Sequence, residues 1–207
     1  MNVERAHGDG PRRGGVLIAG GGTAGHVLPG LAVAAALVER GVVADRSDVH
    51  LVGSRRGVEV ELVPGAGFGL TVLGGRGIQR RLTPANVGAL MGLLAGFLRA
   101  FLLMVRARPR VVLSLGGYAS IPCGLAAVVL RVPLVVAEQN AVPGAANRLL
   151  GRFARASAVS FVDTALPRPE LTGNPVRAAI RSAVGTRSEA RARIGVDDRP
   201  LLVAFGG

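Results

Sequence analysis

Val16-Leu17-Ile18-Ala19-Gly20-Gly21-Gly22-Thr23-Ala24-Gly25-His26 is the stretch that decides the fold. Four apolar residues in a row, with no polar alternation, read as a strand buried on both faces. The six residues after them fit GxGxxG, and an apolar, helix-like segment follows at 28–40. Glycines at those positions let backbone N–H groups approach a phosphate, and the start of the helix adds partial positive charge. The motif by itself is a weak signal, so the rest of the chain has to decide. Short apolar runs recur at 49–52, 70–73, 111–115, 134–137 and 158–161. Helix-length segments separate them at 58–64, 84–108, 121–130 and 145–153. The alternation predicts an α/β domain, a doubly wound parallel sheet of Rossmann-like type with helices on both faces.

Composition narrows the chemistry. The 207 residues can hold one sizeable core and the beginning of another domain, and 49% hydrophobic content argues against disorder. With so few aromatics the core must be built from Val, Leu, Ala and Ile. Twenty-five basic against 13 acidic residues give a net charge of +12, and every basic residue is Arg. Without Lys there is no Walker-A lysine, Schiff-base lysine or pyridoxal phosphate anchor. A basic surface points to anionic partners: phospholipid heads, pyrophosphates or nucleic acid. With no Trp and one Tyr there is no base-stacking platform, so no nucleic-acid partner is expected and membrane and phosphate lead. The one cysteine, Cys123, excludes an internal disulfide and a multi-Cys zinc site, and beside Pro122 and Gly124 it reads as a small buried side chain. His7, His26 and His50 form no HExxH pattern. Arg12 and Arg13 precede no apolar run long enough for a signal peptide, so a cytoplasmic location is expected.

Beyond Phe161 the pattern changes. Pro167 and Pro169, then Gly173-Asn174-Pro175, read as a linker, with a helical segment at 176–183. Residues 201–207 read as the first strand and glycine turn of a second Rossmann-like domain, so the chain is expected to be an amino-terminal fragment. The expected organisation is a flexible lead-in at 1–14, a Rossmann-like domain at 15–172, and a linker with the truncated start of a second such domain at 173–207. Residues 87–105 are apolar apart from Arg99 and long enough to suggest a membrane span. An Arg inside such a span costs about 3 kcal/mol, and Gly88, Gly92 and Gly96 weaken it further. A helix packed on the sheet, with one face open to a bilayer, is the better reading.

The motifs with chemistry fall at the carboxyl ends of the strands, where open α/β sheets bind ligands. His26 follows the first glycine loop, Leu115-Gly-Gly-Tyr-Ala-Ser120 follows the fourth strand, and Ala137-Glu-Gln-Asn140 follows the fifth. One His, one Tyr, one Glu and one Asn on one sheet edge form a site. A nicotinamide cofactor is the rival reading. NAD would want a carboxylate at the end of the second strand, where Gly53-Ser54-Arg55-Arg56 stands, while Ser and Arg there suit the 2′-phosphate of NADP.

The strings Gly22-Thr-Ala-Gly-His26 with Pro29-Gly-Leu-Ala, then Gly116-Gly-Tyr-Ala-Ser120 with Pro122 and Gly124-Leu-Ala-Ala127, Glu138-Gln-Asn140 with Gly144 and Asn147, and Gly173-Asn-Pro-Val-Arg177 resemble the MurG family of two-domain GT-B glycosyltransferases. The resemblance runs from about Gly15 to Gly207, with Ala24 where the family loop usually has Gly. It implies an inverting transfer of GlcNAc from UDP-GlcNAc to the MurNAc 4-hydroxyl of lipid I, undecaprenyl-pyrophosphoryl-MurNAc-pentapeptide, at the cytoplasmic face of the membrane. It implies catalytic roles for His26 and Glu138, and substrate contacts for Thr23, Ala24, Gly25, Tyr118, Asn140 and Arg177. No cofactor is implied, and no DxD pair suggests a metal. The plain alternatives are a loop-bonding His26, a core Tyr118, a salt-bridged Glu138, a turn-forming Asn140 and a linker charge at Arg177. Arg76, Arg80 and Arg81 with Ile78 and Leu82 mix charge and apolar surface as a peripheral membrane patch requires, and an anionic membrane is the expected partner. A non-catalytic membrane-binding half of a split enzyme and an NADP oxidoreductase stand as alternatives.

Overall fold

The computed structural model describes residues 10–55, 57–74, 85–182, 185–197 and 199–204. The expected strands form, as β1 (Val16–Ala19), β2 (Val49–Ser54), β3 (Gly69–Leu73), β4 (Val111–Ser114), β5 (Leu134–Glu138) and β6 (Ala156–Val159). A seventh, β7 (Pro169–Leu171), completes one sheet of order β3-β2-β1-β4-β5-β6-β7, parallel throughout. The helices of this part are α1 (Ala24–Glu39), α2 (Glu59–Gly65), α3 (Ala85–Ala107), α4 (Ser120–Val129) and α5 (Ala145–Leu150).

Period-2 side-chain direction divides the core between the two faces of the sheet. On β1, Val16 and Ile18 pack with Val27, Leu31 and Ala34 of α1 and Val63 of α2. Leu17 and Ala19 point the other way, into a layer with Ala100 and Met104 of α3, Cys123 and Ala126 of α4, and Leu150 of α5. Cys123 is the small buried residue its neighbours suggest, and burial pushes its thiol up to about 12.

Three local readings change. α1 starts at Ala24 rather than at 28, because Thr23 takes the extended conformation of an N-cap (φ −137°) directly after the glycine loop. β6 lies two residues earlier than 158–161, because Ser157, which interrupts the apolar run, is buried and satisfied by donating to Pro167 O at 2.7 Å. β7 occupies part of the proline-bearing segment read as linker. It is an edge strand, where Pro169 can face away from the ladder without forfeiting a hydrogen bond.

α3 carries apolar residues on two sides. Ala100, Met104 and Ala107 are buried, while Met91, Leu94, Leu98, Leu102 and Val105 are exposed along one stripe. Among the described residues no helix is long and apolar enough to cross a membrane.

The chain divides into two compact units, Met1–Pro175 and Val176–Gly207. The second holds α6 (Ala178–Ser182) and α7 (Arg187–Arg193), the latter closed by a capping box between Thr186 and Glu189. The strand expected at 201–207 does not form over 201–204, where the described residues offer no partner strand for its backbone groups. Residues 205–207 lie outside the described set.

Candidate functional site

The strand order reverses between β1 and β4, so the loops after these strands diverge and leave a crevice at the carboxyl edge. Glycines bring the two loops together there. Gly22, Gly116 and Gly117 have φ of +96°, +92° and +81°, a region L side chains rarely enter. A Cβ on Gly117 would collide with the carbonyl oxygen of Gly21 in the opposite loop. Ser120 at the start of α4 fastens the arrangement, its hydroxyl lying 2.8 Å from Ala19 O and 2.7 Å from Gly116 O. Gly30 lets α1 settle on the sheet, since a Cβ there would overlap Leu115.

His26 lies in the first turn of α1, half-buried between these loops. Its Nδ1 is 3.0 Å from Thr23 Oγ1. Its Nε2 makes no hydrogen bond among the described residues, and a Cβ on Gly116 would lie 3.1 Å from it. Burial lowers the proton affinity of the ring, against the pull of Glu138 and Glu59, so the imidazole is neutral at pH 7. Thr23, Ala24 and Gly25 are exposed, and their backbone N–H groups make no hydrogen bond among the described residues. Thr23 does not cap the helix with its side chain. The start of α1 therefore presents free donors and positive dipole to the crevice. Ala24 sits in the helix with ordinary backbone angles, so the loop accepts a side chain there.

Glu138 ends β5 and is 3% exposed. Its Oε1 accepts from Asn140 N at 3.0 Å and Asn140 Nδ2 at 2.9 Å, and its Oε2 from Gly144 N at 3.0 Å and Asn147 Nδ2 at 2.9 Å. Burial pushes its carboxyl up, but the donors from Gly144, Asn147 and Asn140 outweigh it and hold the group below the usual carboxylate range. Four donors occupy about the four acceptor positions of a carboxylate. Glu138 thus frames the β5–α5 loop. Asn147, which closes the Glu138-Gln-Asn140 string in the sequence but was assigned no role there, completes the frame by donating to Ala137 O at 3.0 Å and accepting from Ser114 Oγ at 3.2 Å.

Tyr118 turns away from the crevice. Its hydroxyl lies 2.9 Å from both Gly74 O and Gly92 O, which share its one proton, and burial raises its phenol. Gly96 on α3, read earlier only as a poor membrane-span residue, leaves room for this side chain, since a Cβ there would lie 3.3 Å from the Tyr118 hydroxyl. Asn140 is exposed, and Arg177 is exposed within the second unit. Arg76, Ile78, Arg80, Arg81 and Leu82 lie outside the described residues. Among the described residues no three His, Cys, Asp or Glu side chains gather where a metal could bind.

Ser54, read as a contact for the 2′-phosphate of NADP, is buried and committed elsewhere. Its N–H and hydroxyl donate to Glu59 Oε1 at 2.6 and 2.8 Å. A cavity of about 270 Å³ lies beside the site, lined among others by Leu113, Ala158, Glu138, Gln139, Asn174 and Pro175. Gln139 Oε1 is buried there without a hydrogen-bond partner among the described residues.

A parallel sheet of this order, with a glycine loop on each side of the switch point and a histidine between them, defines the Rossmann-like amino-terminal domain of the GT-B class. The chain belongs to the glycosyltransferase family 28 N-terminal domain family, whose model matches residues 16–159. It is 40% identical over 198 residues to the UDP-N-acetylglucosamine–N-acetylmuramyl-(pentapeptide) pyrophosphoryl-undecaprenol N-acetylglucosamine transferase of Desulforudis audaxviator, covering 93% of this chain and 52% of that protein. To the transferase of the same name from a Nocardioides species it is 43% identical over 197 residues, with 93% and 53% covered. The chain spans about half the length of the curated relatives it matches. The crystal structure of Acinetobacter baumannii MurG superposes with a TM-score of 0.65 at 28% identity, over 79% of this chain and 46% of that one. An S. aureus MnaA–UDP co-structure (TM-score 0.60, 14% identity, 88% and 51% covered) shares the fold.

Proposed function

We propose that this chain is the acceptor-binding half of an inverting GlcNAc transferase that acts on undecaprenyl-pyrophosphoryl-MurNAc-pentapeptide with UDP-GlcNAc as donor. The observation that carries the reading is His26. It is neutral at pH 7, oriented through Nδ1 by Thr23, and has its Nε2 unbonded at the switch-point crevice. In the proposed mechanism Nε2 takes the proton of the MurNAc 4-hydroxyl as that oxygen attacks the anomeric carbon from the face opposite the departing UDP. Glu138, the carboxylate that acts most strongly on the ring, stabilises the imidazolium so formed. The free N–H groups of Thr23, Ala24 and Gly25 stabilise pyrophosphate charge, in the manner of a preorganised anion site. Asn140 meets a substrate sugar or nucleotide at the exposed end of the β5 loop. Glu138 and Tyr118 act by holding loops in place, and Arg177 contacts the donor nucleotide from the start of a second, donor-binding domain.

The stripe Met91, Leu94, Leu98, Leu102 and Val105, with Arg99 and Arg106 exposed on the same helix, supports peripheral docking on an anionic bilayer surface. A membrane contact through Arg76, Ile78, Arg80, Arg81 and Leu82 is proposed from their sequence alone. The deciding experiment fuses this chain to the carboxyl-terminal half of the Nocardioides relative and follows labelled GlcNAc onto the lipid acceptor. Transfer that disappears with His26→Ala supports the reading, and a folded fusion without transfer refutes it.

A further inference from the structure

Beneath the first glycine loop lies a carboxylate that the GxGxxG pattern does not require. Glu59, the first residue of α2, is 1% exposed. Both its oxygens face the Gly22 N–H, at 3.1 and 3.2 Å, and Oε1 also accepts both donors of Ser54. The surrounding backbone is shaped to it, since a Cβ on Gly21, Gly53 or Gly57 would collide with the Glu59 side chain. Three glycines, one in the first loop, one near the end of β2 and one just before α2, thus make room for one acidic side chain.

The bond has a consequence for the loop. Gly22 is exposed and has φ +96°, yet its N–H is drawn inward and spent on Glu59. The next three N–H groups, of Thr23, Ala24 and Gly25, stay free at the start of α1. A short loop hinged on glycines would otherwise sample many conformations, only some of which let those donors converge. A carboxylate is suited to the task because it accepts on both oxygens. A glutamine would set its own N–H against those of Gly22 or Ser54.

We infer that Glu59 is the positioning residue of the first glycine loop: by holding the Gly22 N–H it aims the amides of Thr23, Ala24 and Gly25 at a pyrophosphate. Both proposed substrates carry that group, so the inference rests on the transferase reading for its ligand but not for its geometry. Glu59 touches no reacting atom; it acts through the loop.

Amide hydrogen exchange on the unmodified chain, read by NMR, tests the geometry without any assay of activity. The Gly22 amide should exchange on the order of 100-fold more slowly than those of Thr23, Ala24 and Gly25 despite its exposure. Inorganic pyrophosphate or UDP should then slow the latter three and leave Gly22 unchanged. In the fusion protein, Glu59→Gln and, independently, Gly57→Ala, which displaces the carboxylate from outside the loop, should each lower kcat at least about tenfold with a smaller change in KM. Glu59→Asp, which keeps the charge but shortens the reach, should not restore it. Fast exchange at Gly22, or folded variants with the parent's kcat, would overturn the role of Glu59. Slow exchange at Gly22 with no response of the other three amides to pyrophosphate or UDP would uphold the loop geometry and sink the phosphate reading alone.

Discussion

The amide of Asn147 on α5 donates to Glu138 Oε2 at 2.9 Å, and its carbonyl accepts from Ser114 on β4 at 3.2 Å. A single side chain in the helix after β5 therefore ties together two adjacent strands and, through Glu138, the loop that follows β5. Asn is suited to this because it offers donor and acceptor at once.

Asn147→Asp replaces that donor with a second carboxylate facing the first. At pH 7 the variant should lose roughly 3 kcal/mol of stability, as expected when a buried hydrogen-bonded charge loses its partner. The two carboxylates would share a proton, so one has a raised folded pKa. The loss should therefore shrink as pH falls and grow as pH rises through that value. Urea melts across pH 5 to 8 check this, and a pH-independent deficit would contradict it.

His26→Ala should lower turnover of the fusion protein by roughly 10²–10⁴-fold, the usual cost of a lost general base. Its stability should change by only about 1 kcal/mol, the worth of the Thr23 contact. Steady-state transfer and thermal melting on the same preparation separate the two. Near-normal turnover would make His26 a structural residue.

Tyr118→Phe should behave in the opposite way. Its hydroxyl serves Gly74 and Gly92 and not the crevice, so the variant should lose about 1 kcal/mol of stability and keep near-parental turnover. A folded, stable but inactive variant would return Tyr118 to the substrate.

Acid should weaken the fold before its carboxylates titrate. Burial lowers His50 from 6.5 to about 4, and its Nε2 lies 2.8 Å from Thr71 Oγ1. The unfolded chain takes up a proton near 6.5 that the folded chain refuses until about 4. The stability is complete above 6.5 and falls by up to roughly 3 kcal/mol as pH drops through that window. His26 shifts in the same direction, and Glu138, held low, adds a further loss at more acid pH. His50→Gln should flatten the slope between pH 6.5 and 4.5, and an unchanged slope would exclude His50.

Leu94, Leu98 and Leu102 are each about half exposed on α3. Changing all three to Ser should reduce co-sedimentation with anionic vesicles while leaving the melting temperature nearly unaltered, since surface changes usually cost less than about 0.5 kcal/mol. Vesicle binding equal to that of the parent would move the docking surface elsewhere.

The sequence was most legible where one rule acted alone. Unbroken apolar runs located six strands, because a parallel sheet buried on both faces leaves no polar alternation. β7 stayed hidden because Pro169 mimics a linker, and edge pairing is a property of the assembled sheet. His26 and the two glycine loops were readable from spacing. Asn147 was readable as the end of the Glu138-Gln-Asn140 string but not in its role, and Glu59 was not readable at all, because their importance arises from hydrogen bonds across 9 residues to Glu138 and across 37 to Gly22. Tyr118 stood in a glycine loop like a ligand contact, and only the positions of Gly74 and Gly92 reveal where its hydroxyl goes.

The strand order bears on how the chain comes off the ribosome. β1 lies between β2, which follows it soon, and β4, which is made only after α3. Until β4 emerges, one edge of the central strand has no ladder partner, and the long apolar α3 has already been synthesised. Non-local parallel pairing of this kind is slow and aggregation-exposed. The nascent chain is therefore most vulnerable between the appearance of α3 and that of β4, and a translational pause in that interval would favour its loss to chaperones or proteases.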